Sequence, residues 1–567
     1  MKDQRYPLLS IAVAAALGLA GCGGGNSSGG GSTTPTGTVN VQVTDAPTKD
    51  FDHVWVTIQE IRFHTSNAVA ADDPGWLKYP LATPVTVDLA ALNNGSLAPV
   101  FDGLTLPVAT YQQIRLVLVS DAANLSSSAQ AQGLTYNDQV NWTDSTGTSH
   151  IAPLVIPAPT KGIGINGTFT VPASGAALNL VLDFDVGHDV VKFMHGGNSA
   201  YTLKPNLQYF DLSQVGAVNG QVDLTHVCPA STPPTPAPTT CAYNFVIKAE
   251  QMSADGTHHE ATRFTTIRPD GSFTLYPVRV LGSGRILSTI DVLVRGRNMD
   301  TVLVRNVPVT AGTSPTSNPT ILSTTPLPLT IDTEYTANEN PAAPVSPTGA
   351  WVNFYQTLSA TGLPEVPYEV RYRHINPFTG VFTDDIPLST GPIQFGSYVA
   401  AGSPTLATNT PVQGNGGFLV FAGAPDYTRT EASTDPLTPG ASPVLFTMPT
   451  LTVNSTVATA DSISGNISQA TAGKYNTGFV VVVRLGTIVS TIPIDSVLTA
   501  NAGAGGPFTV SNLPGGSATQ SLPGAYYYLY AVVWNTANPL TTLQLTDFSG
   551  YANLTSASAT GLNVTLN

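Results

Sequence analysis

Two carboxylates, Asp183 and Asp185, flank Phe184 in the run Leu178-Asn-Leu-Val-Leu-Asp-Phe-Asp-Val186, and His188 and Asp189 follow closely. On a strand, residues two apart share a face with side chains roughly 7 Å apart. Such a pair could hold a cation or work as acid and base. Calcium takes about six to eight oxygens, usually from a Gly-containing loop rich in Asp or Asn, and no such loop surrounds these residues. Asp183, Asp185 and His188 are thus the metal-site candidates, but the alternation favours another reading. Leu182 and Phe184 are expected to enter a core, while both aspartates look out to solvent and keep an apolar strand soluble. His195, seven residues past His188, adds a second imidazole in a turn region. Asp45, ahead of Ala46-Pro47, is expected to bond backbone amides of its own turn.

Aromatic side chains are the other candidates. Tyr526, Tyr528 and Tyr530 alternate along Ala525-Tyr-Tyr-Tyr-Leu-Tyr-Ala-Val-Val533, with Trp534 beyond. A row of this kind could stack on sugar rings, because tyrosine joins apolar area to a polar tip. It could equally pack against cross-strand neighbours, and packing is preferred. Two catalytic patterns fail. Gly25-Asn-Ser-Ser-Gly29 has the letters of a nucleophile elbow but no strand before it and no helix after it. His259-Glu260 opens like a zinc-protease helix, but Arg263 stands where the second histidine belongs. No catalytic residue and no cofactor is assigned.

Three cysteines remain. Cys228 and Cys241 bracket a segment containing Pro229, Pro233, Pro234, Pro236 and Pro238. With no further Cys or His at zinc spacing, a disulfide is preferred over metal ligation or free thiols. In the chain-entropy picture it would stabilise by about 3 kcal/mol. Cys22 is different. Lys2 and Arg5 precede an apolar run, Leu8 to Ala20, that leads into Leu19-Ala-Gly-Cys22, the layout of a secretory signal peptide. The run is too short to span a bilayer, which needs about 20 apolar residues. Its end resembles the bacterial lipobox, which implies that Cys22 carries diacylglycerol. Gly23 to Ser32 then reads as a flexible tether. Gly23 and Gly24 stand where an inner-membrane retention Asp is often found, so the outer membrane of a bacterial envelope is expected, facing either the periplasm or the exterior.

The elements that must position these residues are strands. Charged residues make up 10% of the 567-residue chain against 42% hydrophobic ones, with 52 Gly and 45 Pro. Short Val/Ile/Leu/Tyr runs between turn residues favour β-structure. Val39, Val41 and Val43 alternate; so do Ile114, Leu116 and Leu118. In Val54 to His64 the inward set Val54, Val56, Ile58 changes phase to Ile61 and Phe63, which predicts a β-bulge near Gln59-Glu60. The net charge of −14 carries no basic cluster, which excludes nucleic acid as a natural partner.

Val43-Thr-Asp-Ala-Pro47, Val56-Thr-Ile58, Tyr111-Gln-Gln-Ile-Arg-Leu116, Leu182-Asp-Phe-Asp185 and Leu203-Lys-Pro205 occur in the order and spacing of one bacterial lipoprotein family. Residues 37–212 therefore resemble domain of unknown function 4382, which implies an extracytoplasmic β-domain and no particular activity. Farther on the chain repeats itself. Val218-Asn-Gly-Gln-Val222 and Ile463-Ser-Gly-Asn-Ile467 each precede a second signature, Gly271-Ser-Phe-Thr-Leu275 and Gly506-Pro-Phe-Thr-Val510. Gly416-Gly-Phe-Leu-Val420 looks like a third copy. These segments resemble transthyretin-like or carboxypeptidase-regulatory-like sandwiches, with Phe273, Phe418 and Phe508 pointing inward.

The expected fold class is all-β: tandem β-sandwiches, Ig-like or transthyretin-like, behind a signal peptide and tether. The expected division is 1–21 signal peptide, 22–37 tether, 38–213 first β-domain, then sandwiches over 214–325, 326–456 and 457–567. The expected role is non-enzymatic, a binding or structural protein attached to the membrane by its N-terminal lipid. A glycan or another envelope protein is the expected partner. The alternatives are a carbohydrate-binding accessory protein using the tyrosine row, and a metal-dependent enzyme using the acidic strand.

Overall fold

The computed structural model describes residues 34–567 with interruptions, the longest at 225–245, 339–349, 410–418 and 433–450. Cys22, Cys228, Cys241, His195 and Phe418 lie outside the described residues. Strands dominate, and the few helices are short. Among the described residues no helix is long and apolar enough to cross a membrane.

The first sandwich sets a four-stranded sheet against an eight-stranded one. The smaller sheet runs Gln208–Asp211, Leu178–Phe184, Thr36–Asp45, Ala98–Pro107. Its inward residues include Val39, Val41, Val43, Leu180, Leu182 and Phe184, all fully buried with Ile58, Ile61, Phe63 and Leu116 of the larger sheet. The predicted bulge is present, because the register of His53–His64 against both neighbours slips between Ile58 and Glu60. Two-fold alternation restarts after the slip, so Ile61 and Phe63 return to the core side.

The repeat is visible in the strand pairing. Val215–Gln221 pairs antiparallel with Ser272–Arg279 and parallel with Thr320–Ile321. Thr459–Gln469 pairs antiparallel with Gly505–Gly515 and parallel with Ala559–Leu566. The registers coincide: Gly220 lies opposite Phe273, and Gly465 opposite Phe508. Both phenylalanines are buried, as expected. The opposing sheets match too. The hairpin Val246–Met252/His259–Thr265 pairs through its first strand with Thr289–Arg295, and Thr477–Arg484/Thr487–Pro493 pairs likewise with Tyr526–Trp534.

The intervening stretch behaves differently. Trp351–Leu358, Val366–His374, Leu419–Gly423 and Thr430–Ala432 form a sheet of their own. Ile393–Ser397, by contrast, adds in parallel to Thr301–Pro308, and Ala407–Asn409 follows it, so both extend the second sandwich's larger sheet. These tandem sandwiches are not beads on a string, for the sheet faces that carry Val181 and Phe210, and Tyr528 and Tyr530, are covered by a neighbouring sandwich.

Candidate functional site

Asp183 occupies the face its alternation predicts, opposite to Leu182 and Phe184. That face is not solvent. Val181 and Phe210 on it pack against Val215, Ala217 and Tyr276 of the second sandwich, and Asp183 is 1% exposed. The expectation of an outward-looking, solvated aspartate pair is therefore corrected: a neighbouring sheet covers the strand's second face.

The covering element brings a cation with it. Arg263, on His259–Thr265, is 2% exposed. Its Nη1 donates to Asp183 Oδ1 at 2.5 Å, and its Nη2 donates to the backbone oxygen of Asp45 at 2.9 Å. A guanidinium suits this place because its planar fork can serve several oxygens at once. Burying a carboxylate without such a partner would cost several kcal/mol. Asp45, also buried, accepts from the backbone amide of Val186 at 3.0 Å. It thus ties down the end of the adjacent strand.

Asp185 turns to His188, whose Nδ1 stands 2.8 Å from Oδ1. The other ring nitrogen, Nε2, donates to the backbone oxygen of Tyr372 at 3.1 Å. Lys204, the lysine of Leu203-Lys-Pro205, is buried alongside, and its Nζ donates to His374 Nδ1 at 2.9 Å. His374 Nε2 in turn donates to the Tyr372 hydroxyl at 2.8 Å. Burial pushes the Lys204 ammonium down to about 8, against the opposing pull of Asp189. The acidic motif therefore meets Arg263 of the second sandwich and the strand Val366–His374 at a three-way junction.

Among the described residues, no three His, Cys, Asp or Glu side chains are grouped so as to hold a metal ion. The cationic partners at this junction are side chains of the same chain, Arg263 and Lys204.

The tyrosine row is also a contact. Tyr527, Leu529, Ala531 and Val533 face the last sandwich's own core. Tyr528, Tyr530, Val532 and Trp534 share the opposite face, where they pack on Ala71, Val155, Phe193, Met194 and Ala200 of the first sandwich. The Tyr528 hydroxyl accepts from the Ala71 amide at 2.5 Å, and the Arg115 guanidinium lies 5.8 Å from the Tyr528 ring centre. Only Tyr526 is partly accessible, against Tyr551 with ring centres 5.3 Å apart. The packing expected against cross-strand neighbours is joined here by packing against another sandwich.

Sequence reasoning missed a further buried polar group. Lys248, Glu250, Asn353 and Glu369 are each at most 5% exposed. Lys248 Nζ donates to Glu369 Oε1 at 2.8 Å, and Asn353 Nδ2 donates to Glu369 Oε2 at 2.9 Å. Glu250 Oε2 accepts from the Glu369 amide at 3.1 Å. Lys248 and Glu250 alternate with Ile247 and Ala249, the same solvent-face signal as Asp183, which hides them.

Residues 36–205 match the family model described as Domain of unknown function (DUF4382). The buried polar residues of the junction's first side, Asp45, Asp183, Asp185 and Lys204, all fall within that match. No curated protein matches the chain. Solved structures with similarity include a candidate adhesin from Bacteroides ovatus, at 9% identity over 52% of this chain and 95% of that one, with a TM-score of 0.12. The Streptococcal ancillary pilin aligns at 10% identity over 61% and 98%, with a TM-score of 0.11. Likeness at that level carries no argument about this chain.

Proposed function

We propose that this chain is a non-enzymatic envelope protein, in which braced β-sandwiches form a stiff support held to the outer membrane by a lipid on Cys22. One observation carries the reading. The side chains with the best credentials for chemistry or ligand stacking, Asp183, Asp185, His188, Tyr528, Tyr530 and Trp534, are engaged in joining one sandwich to another. Residues that brace a scaffold serve a structural or presenting role. The shared strand pairing of residues 214–325 and 457–567 supports reading both as transthyretin-like sandwiches, with 38–213 ahead of them and 326–456 between. The lipobox-like Leu19-Ala-Gly-Cys22 and the Gly/Ser tether after it support the anchor.

Two measurements test this on the full chain. Cys22→Ser should abolish incorporation of labelled palmitate and partitioning into detergent, and continued labelling would overturn the anchor. On a glycan array the wild-type protein should show no signal that depends on Tyr528. Binding lost in Tyr528→Ala at an unchanged melting temperature would replace the scaffold reading with a carbohydrate-binding one.

A further inference from the structure

Glu369 holds two groups that can react with each other. Its two carboxylate oxygens receive the Lys248 amine at 2.8 Å and the Asn353 carboxamide at 2.9 Å. The three side chains come from three strands, Val246–Met252, Trp351–Leu358 and Val366–His374, the first belonging to a different sheet from the other two. Lys248 is flanked across its sheet by Leu293 and Phe264, and Asn353 by Tyr372 and Phe421. The group is thus nearly dry and ringed by apolar and aromatic neighbours.

An ion pair in such a place has an alternative to staying ionised. Against the upward push of burial, Lys248 and Asn353 hold the Glu369 carboxyl down at about 2, so the pair rests ionised; a proton passed transiently from ammonium to carboxylate removes both charges at once. The product is a neutral amine, the nucleophilic form of lysine, beside a carboxylic acid and a carboxamide. Holding amine and amide on one carboxylate replaces a bimolecular encounter by a preset one, worth many orders of magnitude in rate. Glu250 adds a second buried carboxyl on the same strand face as Lys248. Burial pushes it well above the ordinary carboxylate range, against the opposing pull of Lys248.

We propose that Lys248 and Asn353 join through an intramolecular amide bond, formed by the protein itself with Glu369 as the proton relay. Glu369 takes a proton from the Lys248 ammonium. The Nζ lone pair attacks Cγ of Asn353, and the carboxylic acid steadies the oxyanion that forms. A second Nζ proton passes through Glu369 to Nδ2, the Cγ–Nδ2 bond breaks, and ammonia departs. Ammonia then collects the proton left on Glu369 and leaves as ammonium. One C–N bond forms, one breaks, nothing is oxidised or reduced, and no outside reagent is needed. The result is a covalent tie between the second sandwich's larger sheet and the sheet that follows it. This goes beyond the scaffold reading, which stands or falls on Cys22 and Tyr528.

Mass spectrometry of the purified full-length chain, denatured and digested, tests the bond. We expect a linked pair of peptides containing Lys248 and Asn353, lighter by one ammonia than their sum. Lys248→Arg keeps the charge but should give the two peptides unlinked, and Glu369→Gln should do the same. The wild-type digest decides even where a variant fails to fold. Unlinked wild-type peptides, with Lys248 open to an amine reagent after denaturation, would overturn the proposal. So would an undiminished link in Glu369→Gln, or a link from Lys248 to a residue other than Asn353.

Discussion

A buried charge pair is felt most when one partner goes. Asp183→Ala leaves the Arg263 guanidinium without its carboxylate at a 2%-exposed position, which should cost about 3–5 kcal/mol. Leu182→Ala, one residue away on the core face, should cost a similar 2–5 kcal/mol, roughly the range for a cavity left in a core. Urea unfolding of the full chain compares them. A loss below about 0.5 kcal/mol for Asp183→Ala, as for ordinary surface sites, would mean that the covering contact is not made. Adding Arg263→Met to Asp183→Ala should restore part of the loss, since no uncompensated charge is then buried. His259 makes a pH-dependent case. Its Nδ1 lies 3.6 Å from Asp291 Oδ2 and its ring 4.1 Å from that of Tyr368. Burial lowers it from 6.5 to about 4, helped by Arg305 and His258 and opposed by Asp291. A depressed folded-state value means that the unfolded chain takes the proton first. Stability tied to His259 is therefore intact above pH 6.5 and lost on descending to about pH 4, by about 3 kcal/mol. The difference between wild type and His259→Gln should grow over that window; parallel curves would refute the assignment.

At the level of elements, the two related sandwiches make a paired prediction. A Cβ at Gly220 would land 2.3 Å from Phe273 Cζ, a ring that can tilt, whereas one at Gly465 would land 1.6 Å from the backbone oxygen of Leu562. Gly220→Ala should cost about 1–3 kcal/mol by crowding the core. Gly465→Ala should cost more, because a strand backbone cannot rotate aside. Thermal melts in the opposite order would show that the registers differ. This pairing also marks what a sequence can disclose. The Gly-x-Phe signatures, the bulge at Gln59-Glu60 and the inward sets of Thr36–Asp45 and Leu178–Phe184 are all recoverable, since period-two alternation reports which side of a strand is which. Alternation does not report what lies on the second side. Asp183 and Tyr530 lie on the strand faces that alternation predicts, Lys248 and Glu250 carry no signal of their own, and each of the four is buried by a sheet distant in sequence. Nor does it show that Ile393–Ser397 joins the sheet of Thr301–Pro308, because a parallel addition leaves no hairpin signal between the partners.

Across the whole molecule, the contact that closes the arrangement joins the first sandwich to the last. Phe193 lies between Phe378 and Trp534, with ring centres 5.3 and 5.9 Å away. Val155, Met194 and Ala200 meet Tyr530 and Val532 in the same cluster. Buried apolar area contributes about 25 cal/mol per Å² removed from water, so a contact with several large aromatic rings should couple the two sandwiches energetically as well as geometrically. Tyr530→Ala removes a fully buried ring from the middle of that contact, on the side of its strand that faces away from the last sandwich's own core. Its effect should appear on both partners. Amide hydrogen exchange of the full chain should quicken in the strand Tyr526–Trp534 and equally in Ser149–Val155 and Tyr201–Leu203, which lie far earlier in the sequence. Leu529→Ala, one residue away but facing the other core, should quicken exchange mainly within the last sandwich. Were Tyr530→Ala to leave Ser149–Val155 and Tyr201–Leu203 unchanged, the sandwiches would be independent units in solution. A brace must transmit a local loss to the element it braces, and this pair of variants measures that transmission directly.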